Sequence, residues 1–86
     1  YRARLADMNL KILLFGAAAE AAKNRDLSYS VGQDITVGEL IEILRRDYPP
    51  LDSLQLLSAV NQEYAEAERR LNDGDEVALF TPVSGG

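Results

Sequence analysis

From Asn9 to Phe15 two sets of side chains alternate: Leu10, Ile12 and Leu14 in one, Lys11, Leu13 and Phe15 in the other. A period of two with one wholly apolar set predicts a β-strand with one buried face. Gly16 ends it. The Ala-rich stretch Ala17–Arg25, carrying Glu20 and Lys23, predicts a short helix that must lean on tertiary packing, because a helix of so few turns is marginal alone. Leu27, Tyr29 and Val31 then alternate with Ser28 and Ser30, a second, half-buried strand that stops at Gly32.

The clearest predicted element follows. Thr36-Val37-Gly38-Glu39 has the spacing of a capping box, in which the Thr36 hydroxyl accepts from the Glu39 amide and the Glu39 carboxylate accepts from that of Thr36. Ile35 and Leu40 complete a hydrophobic staple. Val37, Leu40, Ile41, Leu44 and Tyr48 recur at helical spacing, with Glu39, Glu42, Arg45 and Arg46 facing out, and Pro49-Pro50 stops the helix. Gln55–Val60 reads as a third strand, Asn61-Gln62-Glu63 as a turn and Tyr64-Ala65 as a short return strand. Asn72-Asp73-Gly74-Asp75 is a turn by composition. It launches Glu76–Phe80, with Val77 and Leu79 on one face and Ala78 and Phe80 on the other. One main helix, one short helix and four to five strands in this order predict an α+β roll, the main helix lying across a mixed sheet.

The 86 residues, 47% of them apolar, make one globular domain with a modest core. There is no His and no Cys, so imidazole bases, thiolate nucleophiles, disulfides and the usual zinc ligand sets are all excluded. Charge is uneven: residues 1–25 carry +3 and residues 26–86 carry −8. A body of that sign repels nucleic acid and anionic membranes and is steered toward a basic patch on a protein. The longest apolar run, Ile12 to Ala19, is far short of the roughly 20 residues of a membrane span. Arg2, Arg4 and Lys11 before that run mimic a signal peptide, but Lys11 lies against it and cleavage would remove too much core. Residues 1–7 are expected to be an expression remnant or an unstructured lead-in, residues 8–80 the domain, and residues 81–86 an extended tail.

The acidic groups Glu63, Glu66, Glu68 and Asp73, Asp75, Glu76 read as solvated faces: Asp73-Gly74-Asp75 lacks calcium-loop spacing, and no metal site is expected. Arg45-Arg46 and Arg69-Arg70 read as surface pairs beside acids. Thr81-Pro82-Val83-Ser84-Gly85-Gly86 is more informative. Pro82 holds the exit extended, and two glycines without Cβ atoms enter a channel that other residues would obstruct. Six residues span at most about 20 Å, enough to place an α-carboxylate inside another protein. With no catalytic side chain elsewhere, that carboxylate on Gly86 is the candidate chemistry.

Ala59-Val60-Asn61-Gln62, Leu71-Asn72-Asp73-Gly74-Asp75-Glu76-Val77-Ala78-Leu79-Phe80 and Pro82-Val83-Ser84-Gly85-Gly86 together resemble the family of molybdopterin synthase small subunits. The resemblance runs from about Met8 to Gly86. Thr81 departs from it, since members more often carry Pro there. It implies a ubiquitin-like β-grasp fold, and a Gly86 carboxylate that a ubiquitin-activating-type adenylyltransferase activates with ATP. A sulfur donor then converts it to a thiocarboxylate. It further implies that Thr81, Pro82, Val83, Ser84 and Gly85 thread into the large synthase subunit, where the sulfur is delivered to cyclic pyranopterin monophosphate. The acid and base groups belong to that larger protein, the carrier binds no cofactor, and the expected setting is a cytoplasmic heterotetramer. Phe15, Tyr64 and Phe80 match positions that contact these partners; the alternative is that they fill a second small core or cover the Ala-rich helix. Thiamine synthesis, tRNA thiolation, lysine conjugation and a non-covalent β-grasp interaction module are the competing readings.

Overall fold

The computed structural model describes residues 7–82. Strand β1 (Met8–Leu14) leads to helix α1 (Gly16–Ala22) and strand β2 (Asp26–Val31), then helix α2 (Val37–Asp47) and a 3-10 turn (Pro49–Ser53). Strands β3 (Leu57–Val60), β4 (Glu63–Ala65) and β5 (Glu76–Phe80) complete it. Among the described residues the sheet has five strands in the order β2-β1-β5-β3-β4, with β1 and β5 parallel and the other neighbours antiparallel.

Alternation in the sequence becomes two unlike sheet faces. Leu10, Ile12 and Leu14 of β1 and Val77 and Leu79 of β5 are buried, and Val37, Leu40 and Leu44 of α2 close over them, with Ala18 and Ala22 of α1 and Leu51 of the 3-10 turn. Alanine is what lets so short a helix as α1 sit close to the sheet. It ends earlier than the sequence predicts, because Lys23 turns into the left-handed region at φ 58° and its N–H caps the Ala19 carbonyl.

The capping box is present: the Thr36 hydroxyl accepts from the Glu39 N–H at 3.2 Å and the Glu39 carboxylate accepts from the Thr36 N–H at 2.9 Å. The next two donors of α2 are met from a distant segment, Val37 N–H donating to the Arg69 carbonyl and Gly38 N–H to that of Ala67. Gly38 eases that approach, since a Cβ there would lie 3.2 Å from the Ala67 Cβ and push it back by a few tenths of an ångström. At the far end the two prolines do not simply break the chain. Their missing N–H groups are unneeded in a first turn, so the backbone tightens into the 3-10 turn, buries Leu51, and receives the Arg45 guanidinium on the Leu51 carbonyl at 2.9 Å.

The β3–β4 connection is a two-residue hairpin turn with Asn61 and Gln62 at φ 51° and 73°, the conformation that matches strand twist. Asp75 corrects the sequence reading. Rather than belonging to a solvated acidic face, it is 8% exposed, and its carboxylate accepts from the Asn61 side-chain amide at 2.9 Å and from the Asn72 N–H at 2.8 Å. Asn61 also accepts from the Glu76 N–H at 3.0 Å. These bonds sew the β3–β4 turn to the first residue of β5 and so fix where β5 begins.

Candidate functional site: the open sheet face and the exit of β5

Both helices contribute to the core on one side of the sheet, which leaves the other face without a covering helix among the described residues. Register assembles that face. Leu13 of β1 lies beside Ala78 of β5, Ala78 opposite Ala59 of β3, and Ala59 opposite Tyr64 of β4, one row crossing four strands. One step toward the exit of β5, Phe80 lies opposite Leu57. Phe15 sits one residue past the end of β1 instead of inside it, yet its backbone is extended and its N–H donates to the Leu79 carbonyl at 3.1 Å, which brings it level with Phe80. Lys11 and Glu76 pair in the row on the other side, so the patch is apolar toward the exit and charged away from it.

Phe15 and Tyr64 are 51% and 80% exposed, and Phe80 is half-buried. The rings of Tyr64 and Phe80 meet edge to face with centroids 5.9 Å apart, a preferred aromatic geometry. That pair holds Tyr64 out over the sheet. Phe15 and Tyr64 thus lie open to solvent, with Phe80 half-buried in contact with Tyr64. A groove of about 770 Å³ continues from Leu13 and Phe15 along α1, past Ala19, Glu20, Lys23 and Arg25.

Thr81, half-buried, and Pro82, exposed, continue from Phe80 without regular structure, at the same corner as Phe15. Val83, Ser84, Gly85 and Gly86 lie outside the described residues. Because β1 and β5 are parallel, their C-terminal ends share one edge of the sheet, which is why Phe15, Phe80 and the start of the tail come together.

The sequence profile of the ThiS family matches residues 12–86. The chain belongs to that family. It is 34% identical to the molybdopterin synthase sulfur carrier subunit of Chlamydomonas reinhardtii, over 92% of this chain and 100% of the relative. A crystal structure of the small archaeal modifier protein 1 of Haloferax volcanii superposes with a TM-score of 0.81 at 33% identity, covering 91% of this chain and 99% of that one. One chain in a complex of subunits 1 and 2 of the molybdopterin-converting factor from Helicobacter pylori superposes with a TM-score of 0.66 at 26% identity, covering 92% and 100%. The fold is the ubiquitin-like β-grasp.

The sequence singles out Phe15, Tyr64 and Phe80 but not Leu57 and Ala59, which lie opposite Phe80 and Tyr64. The signal was present, as Leu57 and Ala59 alternate with buried Ser58 and Val60, but only the register of β3 against β5 places them beside Phe80. No group of three or more acidic side chains positioned to hold a metal ion occurs among the described residues.

Proposed function

We propose that this chain is a sulfur carrier for molybdopterin synthesis, in which the α-carboxylate of Gly86 is the reacting group. The carboxylate oxygen attacks the α-phosphate of ATP on an activating enzyme, forming an acyl adenylate and releasing pyrophosphate. A sulfide-level sulfur nucleophile then attacks the carbonyl carbon, AMP leaves with the C–O bonding pair, and a thiocarboxylate remains. Adenylation is needed because a free carboxylate is a poor electrophile, its oxygen being a poor leaving group. In the synthase large subunit the thiocarboxylate sulfur bonds to a carbon of cyclic pyranopterin monophosphate, and water then cleaves the Gly86 acyl C–S bond, leaving the sulfur on the pterin and returning Gly86 to a carboxylate. The proton transfers fall to that subunit, this chain having no His or Cys.

The observation that carries the proposal is the coincidence at one corner of the sheet. An aromatic face without a helical cover among the described residues ends where β5 hands over to Thr81 and Pro82, and the sequence continues to Gly85-Gly86. A partner that binds Phe15, Tyr64 and Phe80 is aligned to receive the tail, and a face of this kind suits successive docking to activating enzyme and large subunit. The named relatives support that pathway: one is a sulfur carrier subunit of molybdopterin synthase, and another structure contains both subunits of the converting factor. The small archaeal modifier at 33% identity favours a second reading, in which the same activated Gly86 is passed to a lysine amine.

Intact mass of the chain, before and after incubation with activating enzyme, ATP and a sulfur source, tests the chemistry. The expected change is exchange of one oxygen for sulfur at Gly86. An unmodified carboxylate would overturn the carrier reading. Adding large subunit and pyranopterin substrate to the thiolated chain then separates the two readings: return to the carboxylate mass with dithiolene formation supports synthesis, while an isopeptide adduct on protein lysines supports modification.

A further inference from the structure

β2 forms one edge of the sheet, and among the described residues no strand lies beyond it. Which of its backbone groups face outward follows from its pairing. The Leu14 N–H donates to the Arg25 carbonyl at 2.8 Å, and the register pairs Ile12 with Leu27, Leu10 with Tyr29 and Met8 with Val31. In an antiparallel ladder hydrogen-bonded pairs alternate, so Leu27, Tyr29 and Val31 bond to β1. The N–H and C=O groups of Asp26, Ser28 and Ser30 therefore point away from the sheet. Edges of this kind are normally blunted by charged side chains, Pro, a bulge or an inward charge; β2 has one such device, Asp26 at its first residue, and residues 27–31 contain none. β2 is also a six-residue strand, twice as long as the opposite edge, β4.

The strand is self-complementary. When a second copy is laid antiparallel about Tyr29, Leu27 falls opposite Val31, Ser28 opposite Ser30 and Tyr29 opposite itself, apolar against apolar and hydroxyl against hydroxyl. Farther out, Asp26 faces Gly32, Arg25 faces Gln33 and Asn24 faces Asp34, so no like charges oppose one another. Side chains also keep to their own faces, Leu27, Tyr29 and Val31 with the core and the serines outside. Self-complementarity about a point is what a two-fold interface requires and what a general peptide-binding edge does not.

We infer that the outer edge of β2 pairs with β2 of a second copy of this chain, centred on Tyr29, to give a continuous ten-stranded sheet. The outward groups of Ser28 and Ser30 then become hydrogen-bonded pairs across the axis. Phe80 and Tyr64 stay clear of the junction, because β5, β3 and β4 lie on the far side of β1.

Sedimentation equilibrium of the full chain over a concentration series reads this directly. The expected result is a monomer–dimer equilibrium that Ser28→Pro abolishes, since proline there removes an outward N–H and no bond to β1. In case Ser28→Pro unfolds, the double variant Ser28→Asp, Ser30→Asp places like charges opposite each other on exposed positions and is expected to weaken the dimer about tenfold or more. The register has its own assay. The chain lacks cysteine, so mixing separately made Ser28→Cys and Ser30→Cys chains under oxidation is expected to give the mixed disulfide over either symmetric one, hydrogen-bonded pairs having Cα atoms about 5.5 Å apart. A monomer at all concentrations, a dimer indifferent to the Asp variant, or a preference for the Ser28→Cys symmetric product would each overturn the inference. So would a monomeric chain whose Asp variant loses a protein partner, which would assign the edge to that partner's strand.

Discussion

Tyr64 is the more exposed of the two large hydrophobic side chains left open, at 80% against 51% for Phe15, and its ring rests on Phe80. A residue so placed contributes little to folding, so Tyr64→Ala is expected to leave stability within about 0.5 kcal/mol of the parent, while weakening partner binding by 1 kcal/mol or more, as truncated interface aromatics do. Calorimetric titration against the large subunit, beside a thermal melt, checks both halves; equal binding would remove Tyr64 from the interface. Tyr29 shows the reverse economy. Its hydroxyl donates to Asp47 at 2.7 Å, and burial, reinforced by that bond and by the carboxylate charge, raises its pKa above the usual 10.0. The folded state therefore holds the phenolic proton more tightly than the unfolded one. This contribution is fully present below pH 10 and is lost as pH rises beyond it. Tyr29→Phe is expected to cost about 0.5–1 kcal/mol at neutral pH and to flatten the alkaline fall in stability measured by urea unfolding.

Among the elements, α2 carries the strongest local instruction and also the most tertiary support. All four of its first N–H groups find acceptors: Arg69 and Ala67 carbonyls for Val37 and Gly38, the Thr36 hydroxyl for Glu39 and the Thr36 carbonyl for Leu40. Removing the one side-chain acceptor isolates the local part of that support. Thr36→Ala is expected to destabilise the chain by about 1 kcal/mol without changing thiolation, measured by chemical denaturation beside the mass assay; a loss of several kcal/mol would mean that the 67–69 segment detaches with it. The three-residue strand β4 shows the opposite dependence. Its place is fixed by pairing with β3, by the Ser58 hydroxyl donating to the Ala65 carbonyl, by the Tyr64 ring on Phe80, and by the Asn61-Gln62 turn, where Asn61 donates to Asp75 and accepts from the Glu76 N–H.

At the scale of the whole molecule the described residues, 7–82, carry the fold, and the proposed chemistry belongs to the residue that closes the sequence. If the proposed chemistry resides in the terminal carboxylate, then deleting Gly86 is expected to leave the fold and thermal midpoint unchanged while sulfur incorporation disappears from the mass spectrum. Retained incorporation in the shortened chain would move the reacting group elsewhere. The net charge of −5 acts at the same scale, where it concerns how fast a basic partner is met and not the shape of the fold.

Alternation in residues 9–15, 27–31 and 76–80, the capping box at Thr36 and the Gly-Gly ending were legible in the chain because each is a short-range pattern whose physics is local: side-chain period, an i to i+3 hydrogen bond, absence of Cβ atoms. Asp75 was misread for the same reason. Its partners Asn61 and Asn72 are distributed along the chain, and in one dimension it looks like another solvated acid. The aromatic face was half legible: opposite-face parity marked Phe15 and Phe80, while Leu57 and Ala59 joined them only through the register of β3 on β5. The sequence by itself determined which side of each strand is apolar, where α2 starts and what the tail is able to present. Only the tertiary structure decided which strands are neighbours, that both helices cover the same side, and that β2 is left at an edge. Strand order and register are set by contacts between residues far apart in the chain, and no local pattern encodes those contacts.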